Sequence, residues 1–258
     1  MTSDSEKAAR IEVRRCHGLE EFEACMALER AVWLSADVDA VPLPIFVVAA
    51  HTGGQVLGAF DGSQMVGFTL ALPAFRMGRL ALHSHMTAVL AEYRDRGVGR
   101  RLKFYQRQEA LERGIRLVEW TFDPLELRKA YFNLRLLGAV VRQYLPNHYG
   151  ITTSPLHARL PTDRFLAEWW LQSRRVERCA KGANEASRAG SGAVRIPVPA
   201  NIGEVKGANP AEGAKVQANL REEFQRWLGQ GYAVVGIEMG DATANYVLEP
   251  MTDPERAV

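Results

Sequence analysis

The chain has 258 residues, 47% of them apolar and 24% charged. Those proportions exclude wholesale disorder and a fibrous repeat, and a chain this long buries a full core without disulfides or metals. Lys and Arg number 32 against 30 Asp and Glu, a balance that gives no bulk electrostatic reason to expect a nucleic-acid partner.

Ile11 to Arg15 alternates as a short strand, and Leu19, Phe22, Met26 and Trp33 then recur at helical spacing. Two prolines make Ala36 to Pro44 read as a loop. Gln55 to Phe60 and Met65 to Leu72 flank Asp61-Gly62 as a hairpin, and Leu80 to Leu90 follows as a strand. A glycine turn leads into helix formers that run to Gly114, and Leu117 to Phe122 is again a strand. Asp123-Pro124-Leu125-Glu126 predicts a helix capped by Asp123 and ending near Gly138. Ala139 to Leu145 and Arg164 to Leu171 are the next strands. Ser173 to Ala193 has Val176 as its only large aliphatic residue and reads as a mobile linker. Asn209-Pro210 opens a last helix with Val216, Leu220, Phe224 and Trp227 on one face, and Tyr232 to Glu238 with Ala244 to Leu248 makes a hairpin. This order predicts a mixed α/β (α+β) sheet protein. It divides into a main domain over 1–172, a flexible linker over 173–193 and a small C-terminal α-β-β extension over 194–258.

Cys16, Cys25 and Cys179 have no CxxC partners and fit a reducing compartment. The segment Met1 to Ile11 is polar, without a signal-peptide apolar region, and the longest apolar stretch, Ile45 to Ala50, is far too short to span a bilayer. The expectation is a soluble cytoplasmic protein with no membrane partner.

The chemically informative stretch is Ala88 to Lys103. A strand enters, Gly97 and Gly99 make a turn, and a helix leaves. Glycine lets the backbone approach a ligand closely, and free amides at a helix start suit a phosphate. Arg94, Arg96, Arg100, Arg101 and Lys103 add five cations against Asp95. A Walker loop needs a Gly-Lys followed by Ser or Thr, which is absent, and the third glycine of a Rossmann fingerprint is replaced by Leu102. A tight turn at an ordinary basic helix start is the alternative.

Arg94-x-x-Gly97-x-Gly99 resembles the acetyl-CoA pyrophosphate loop of the GNAT superfamily of N-acetyltransferases. The strand before it and the helix after it correspond to that family's fourth strand and third helix. Ala130 to Ala139 resembles its fourth helix running into a Leu-Gly turn, Leu137-Gly138. Leu82-His-Ser-His-Met86, Thr121-Phe-Asp-Pro124 and Phe132-Asn133 are similar to an uncharacterised bacterial subgroup of these acetyltransferases. The resemblance covers roughly residues 11–171. It implies a GNAT-like, splayed central sheet flanked by helices, with acetyl-CoA as co-substrate lying between the fourth and fifth strands. It also implies that Ala88, Val89 and Leu90 offer backbone groups to the pantetheine arm. Arg94, Asp95, Arg96, Gly97, Val98 and Gly99 would then wrap the pyrophosphate, with Arg100 and Arg101 adding charge beside it.

Many members of that family carry a Glu base on the fourth strand. His83 and His85 fall at that place here, and residues two apart on a strand share a face. An imidazole titrates near neutrality, as a base for an amine nucleophile should. Structural hydrogen bonding of either ring is the alternative, and Glu119 on the next strand is the reserve base. The family's usual acid is a Tyr four residues before the turn glycine, but that position is Leu134; Tyr131, one turn earlier, is the substitute candidate, the alternatives being that it packs against the sheet and that the thiolate leaves without an acid. His148 and Tyr149 lie in a turn that borders the acceptor in the family, or they form an ordinary surface turn. Trp169, Trp170 and Trp227 read as core, and no metal site is expected. The function implied is acetyl transfer to a small-molecule amine, or to a protein, by direct attack in a ternary complex. The alternative is a non-catalytic CoA-binding or partner-binding module of the same fold. Homodimerisation is compatible with either.

Overall fold

The computed structural model describes residues 11–33, 40–150, 160–184, 192–251 and 253. The N-terminal segment up to Arg10, residues 36–39 of the expected loop and residues 185–191 of the expected linker lie outside them. The chain forms two compact units, Met1–Val118 and Glu119–Val258.

The first unit contains β1 (Ile11–Arg15), α1 (Gly18–Trp33), α2 (Leu43–His51), β2 (Gln55–Asp61), β3 (Gln64–Arg76), β4 (Arg79–Val89) and α3 (Val98–Glu112). The four strands lie side by side in the order β1-β2-β3-β4 and pair antiparallel. Alternation along β2 and β3 sends side chains to two covered faces. Phe46, Phe68, Leu70 and Ala88 join Phe22, Cys25 and Leu28 of α1 in one buried cluster, while Leu57, Ala59 and Val66 pack with Val98 and Leu102 of α3 in another. The first-turn residue Leu19 stays 57% exposed, so the contact of α1 with the sheet begins at Phe22. The prolines read as loop residues instead start α2: Pro42 is its N-cap, Pro44 lies in its first turn, and Phe46 and Ala49 are fully buried.

The second unit contains most of β5 (Leu117–Phe122), then α4 (Leu127–Tyr131), β6 (Val140–Leu145), β7 (Arg164–Trp170) and α5 (Arg174–Ala180). After these come β8 (Val194–Pro199), α6 (Ile202–Ala208), α7 (Pro210–Gly229), β9 (Tyr232–Glu238) and β10 (Thr243–Pro250). Its strands run in the order β5-β7-β6-β9-β10-β8. Phe224 of α7 packs against Phe165 (4.6 Å between ring centroids), Tyr246 (5.3 Å) and Tyr144 (5.9 Å), and Trp169 lies 5.9 Å from Trp120. Trp169 and Trp170 are thus core residues. The fold is mixed α/β with mostly antiparallel strands. Among the described residues no helix is long and apolar enough to cross a membrane.

Three local expectations change. Asp123 does not cap a helix: its Oδ1 accepts from Leu125 N at 2.8 Å and its carbonyl from Glu126 N at 3.0 Å, a self-closed turn that delays the helix to Leu127. The helix then widens to an i to i+5 turn over Phe132–Leu136, with Leu137 N donating to Phe132 O at 3.0 Å. Arg174–Ala180, inside the expected linker, is a helix capped by Ser173, with Val176 and Cys179 fully buried. The C-terminal extension also holds β8 and α6 besides the expected helix and hairpin.

Candidate functional site

In the first unit β4 leads to a single 3₁₀ turn, Ala91–Tyr93, and then to a reversal. Asp95 (φ 60°) and Gly97 (φ 77°) are both left-handed, and α3 starts at Val98. Glycine adopts that conformation without cost, and Asp is among the few other residues that tolerate it. Val98 is buried beside Leu57 and Leu102, so the start of α3 is pinned to the sheet by packing. Its first amides then point away from the helix body with no intrahelical acceptor. Arg94 Nε donates to Val89 O at 3.3 Å, Arg96 lies over the Tyr93 ring, Arg100 over Phe104, and Arg101 donates to Ile11 O on β1. Each of the four arginines that flank the turn in sequence is thus engaged with protein atoms.

Lys103 does not belong with them. It is 3% exposed, and its Nζ donates to Ser84 Oγ on β4 at 3.1 Å and to Gln106 Oε1 at 2.5 Å. Burial lowers its pKa to about 7. The unfolded chain keeps this proton up to the ordinary value of 10.5, whereas the folded chain releases it near 7. Between those values the unfolded state binds more protons, so folding stability rises with pH there. Lys103→Met should therefore be most favourable relative to wild type below pH 7. That advantage should shrink by about 1.4 kcal/mol per pH unit towards pH 10. Urea unfolding of both proteins across this range reads the slope, and parallel curves would exclude it.

The backbone of Leu90 is already engaged. Its amide donates to Val66 O at 3.0 Å and its carbonyl accepts from Tyr93 N at 2.9 Å, so it has no spare amide hydrogen for a pantetheine arm. Ala88 pairs with Phe68 and Val89 with Gly67.

The histidines sit at an irregularity. Leu70 opposes Met86 and Ala71 opposes Ser84, so His85 is a bulged residue left out of the β3–β4 ladder. The bulge inserts a residue between His83 and Met86, and simple two-residue alternation no longer places both imidazoles on one face. They remain neighbours electrostatically. His85 keeps an exposed surface yet is crowded by protein atoms, and its pKa is lowered first by that desolvation and then by the charge of His83. It is therefore neutral, and able to accept a proton, at neutral pH.

In the second unit Glu119 is buried on β5. Tyr131 OH accepts from Asn184 Nδ2 at 2.7 Å, and Arg135 lies 5.8 Å from its ring while donating to Asn184 Oδ1. Leu134 is fully buried, so no acid stands at that position. His148 and Tyr149 are brought together, their rings 4.5 Å apart edge to face. Tyr149, 49% exposed, shares a 2.9 Å hydrogen bond with Thr121 Oγ1 of β5, and Arg164 lies 5.4 Å from its ring. Sequence reasoning gave no role to Thr121 or Asn184. Thr121 stood inside a phrase already singled out, but nothing in the sequence marked Asn184. Among the described residues no group of three or more metal-ligating side chains occurs.

No family model matches the chain, and no curated protein matches it. Solved structures do. The N-acetyltransferase of Staphylococcus aureus Mu50 aligns at 15% identity and a TM-score of 0.52, over 62% of this chain and 98% of that one. An Arabidopsis thaliana protein solved with the bisubstrate analogue CoA-Ac-MVNAL aligns at 13% identity and a TM-score of 0.50, over 62% of this chain and 97% of that one. The NatC complex solved with Gag peptide and CoA gives the same identity, TM-score and coverage. Identities this low speak to the fold alone, and the fold of this chain is that of the GNAT N-acetyltransferases.

Proposed function

We infer that this chain transfers an acetyl group from acetyl-CoA to an amine, acting in the cytoplasm on a small-molecule acceptor. The observation that carries the reading is the left-handed Gly97 turn between β4, with its bulged His85, and α3, in a stretch that carries Arg94, Arg96, Arg100 and Arg101. Helix-start amides and guanidinium groups are the donors a diphosphate requires. Solved proteins of the same fold have been captured with CoA or a CoA-containing analogue.

In this reading the acceptor nitrogen attacks the thioester carbonyl while His85 takes its proton. The carbon–sulfur bond then breaks and the electron pair leaves with the CoA thiolate. Backbone donors of β4 stabilise the oxyanion. His83 tunes His85, and Glu119 is the reserve base. Tyr131 is the acid candidate through its hydroxyl hydrogen, and His148 and Tyr149 border the acceptor. Residues 1–172 would form the acyltransferase domain and 194–258 an extension.

The fully buried Leu134, in place of the usual tyrosine, favours a second reading: a module that binds CoA without turnover. Thiol release from acetyl-CoA over a panel of amines separates the two. Acceptor-dependent release supports the enzyme, whereas saturable CoA binding without release supports the module.

Gly97→Ala tests the turn. Among the described residues, none beyond the two chain neighbours of Gly97 has an atom within 4 Å of the added Cβ, so the cost is left-handed backbone strain. That strain is about 1–2 kcal/mol. The variant should fold, and calorimetry should show CoA affinity weakened about tenfold or more as the turn relaxes away from its binding shape. Unchanged affinity would remove the turn from the site.

A further inference from the structure

We propose that α7, in the C-terminal extension, sets acceptor specificity: Arg221 clamps the buried carboxylate of Asp163, and that clamp positions the turn presenting His148 and Tyr149. The proposal rests on the acyltransferase reading above and names Arg221 and Asp163 as positioning residues for it.

Asp163 is fully buried and accepts four hydrogen bonds. Oδ2 takes Tyr144 OH at 2.6 Å and Arg221 Nε at 2.9 Å, while Oδ1 takes Arg221 Nη2 and Asn147 N, each at 2.9 Å. One carboxylate thus joins a strand, a helix and the first residue of the turn. The preceding Thr162 completes the turn. Its carbonyl accepts from His148 N, its hydroxyl oxygen accepts from Tyr149 N and donates to Gly150 O, and its amide donates to Asn147 Oδ1. Gln217, one helical turn before Arg221, donates to Pro161 O at 2.8 Å. Two polar side chains of α7, four residues apart, therefore grip the 161–163 segment that holds the turn. Arg221 is drawn further to its charged form by Asp163, which raises its pKa.

The clamp is more than packing. Leu220 and Phe224 of the same helix already bury its apolar face. A bidentate guanidinium–carboxylate pair adds direction, fixing distance and angle together. What it fixes is the backbone of Asn147, and through it two exposed aromatic side chains, of which Tyr149 bonds Thr121 of β5 through its hydroxyl.

The test uses the full chain with Arg221→Lys and Arg221→Met. Arg221→Lys keeps the charge but loses the bidentate grip. The expected result is an acceptor KM raised about tenfold, with the acetyl-CoA KM unchanged. Amide hydrogen exchange at Asn147 and Tyr149 should quicken, while Ala167 on β7 and Val234 on β9 keep wild-type protection. Should Arg221→Met fail to fold, Arg221→Lys alone carries the test. Unchanged acceptor KM in a folded Arg221→Lys protein would overturn the proposal, as would equal rises in both KM values with protection lost throughout the unit. Wild type that releases no thiol with any amine would overturn the acyltransferase reading and this proposal with it.

Discussion

His85→Gln should lower turnover about 100-fold or more while leaving acetyl-CoA affinity intact. Glutamine keeps the size and polarity of the ring but cannot titrate. In wild type the rate should fall as pH drops through the His85 pKa, because an imidazolium cannot accept the amine proton. Desolvation and the charge of His83 hold that pKa below the ordinary 6.5, so the acidic limb should lie below 6.5. His83→Gln removes the repelling charge, so its acidic limb should move up towards the ordinary value while most activity remains. His85→Gln should abolish the limb. A His85→Gln enzyme with near wild-type rates and an unchanged profile would transfer the base role to His83, to Glu119, or to solvent acting on an already neutral amine.

Arg175→Met should destabilise the fold strongly, on the order of 3–5 kcal/mol. Arg175 is buried, and its guanidinium donates to Gly138 O at 3.2 Å, to Leu134 O at 2.7 Å and to Val235 O. Methionine restores the aliphatic stem but leaves three buried carbonyls without that donor. The site has no room to adjust on its other side. Gly138 has φ 77°, and a Cβ there would meet Cys179 Sγ at 3.1 Å and Arg175 O at 3.2 Å. The shift in urea midpoint at constant slope measures the effect. A change below about 1 kcal/mol would mean that other donors replace the guanidinium.

These two residues mark where the sequence was legible and where it was not. Periodicity announced helices and part of their buried faces: Phe22 on α1 and Leu220 and Phe224 on α7 are buried, whereas Leu19 is exposed, Met26 and Trp33 are half-buried, and the buried Cys25 and Leu28 stood outside the spacing. Gly97 was readable as a turn residue because a φ of 77° has few solutions other than glycine, but Gly99, expected to share the turn, lies inside the first turn of α3. The α5 segment was not readable. It is held by an arginine, a cysteine and one valine, which look like linker composition until three carbonyls are found around Arg175. The same blindness put Lys103 among the phosphate cations, since sequence does not reveal which way a helical lysine faces. Proline is ambiguous for the reason seen in α2, where Pro42 and Pro44 start a helix instead of preventing one. The β4 bulge is a one-residue insertion in pairing, invisible to a pattern that assumes strict alternation, and it alters how His83 and His85 face. Pro146, Asn147 and Gly150 are turn-forming residues beside His148 and Tyr149, but the partners that fix this turn, Thr162, Asp163 and Arg221, are distant in sequence.

The central claim is that the Gly97 turn holds the diphosphate of CoA. Backbone NMR during a CoA titration tests it at the atoms concerned. The expected result is saturable shifts of the amides from Asp95 to Arg100, largest at the first residues of α3, where the helix start meets the added negative charge. Amides of the turn that stay unmoved at saturating CoA, or shifts confined to residues outside it, would contradict the claim.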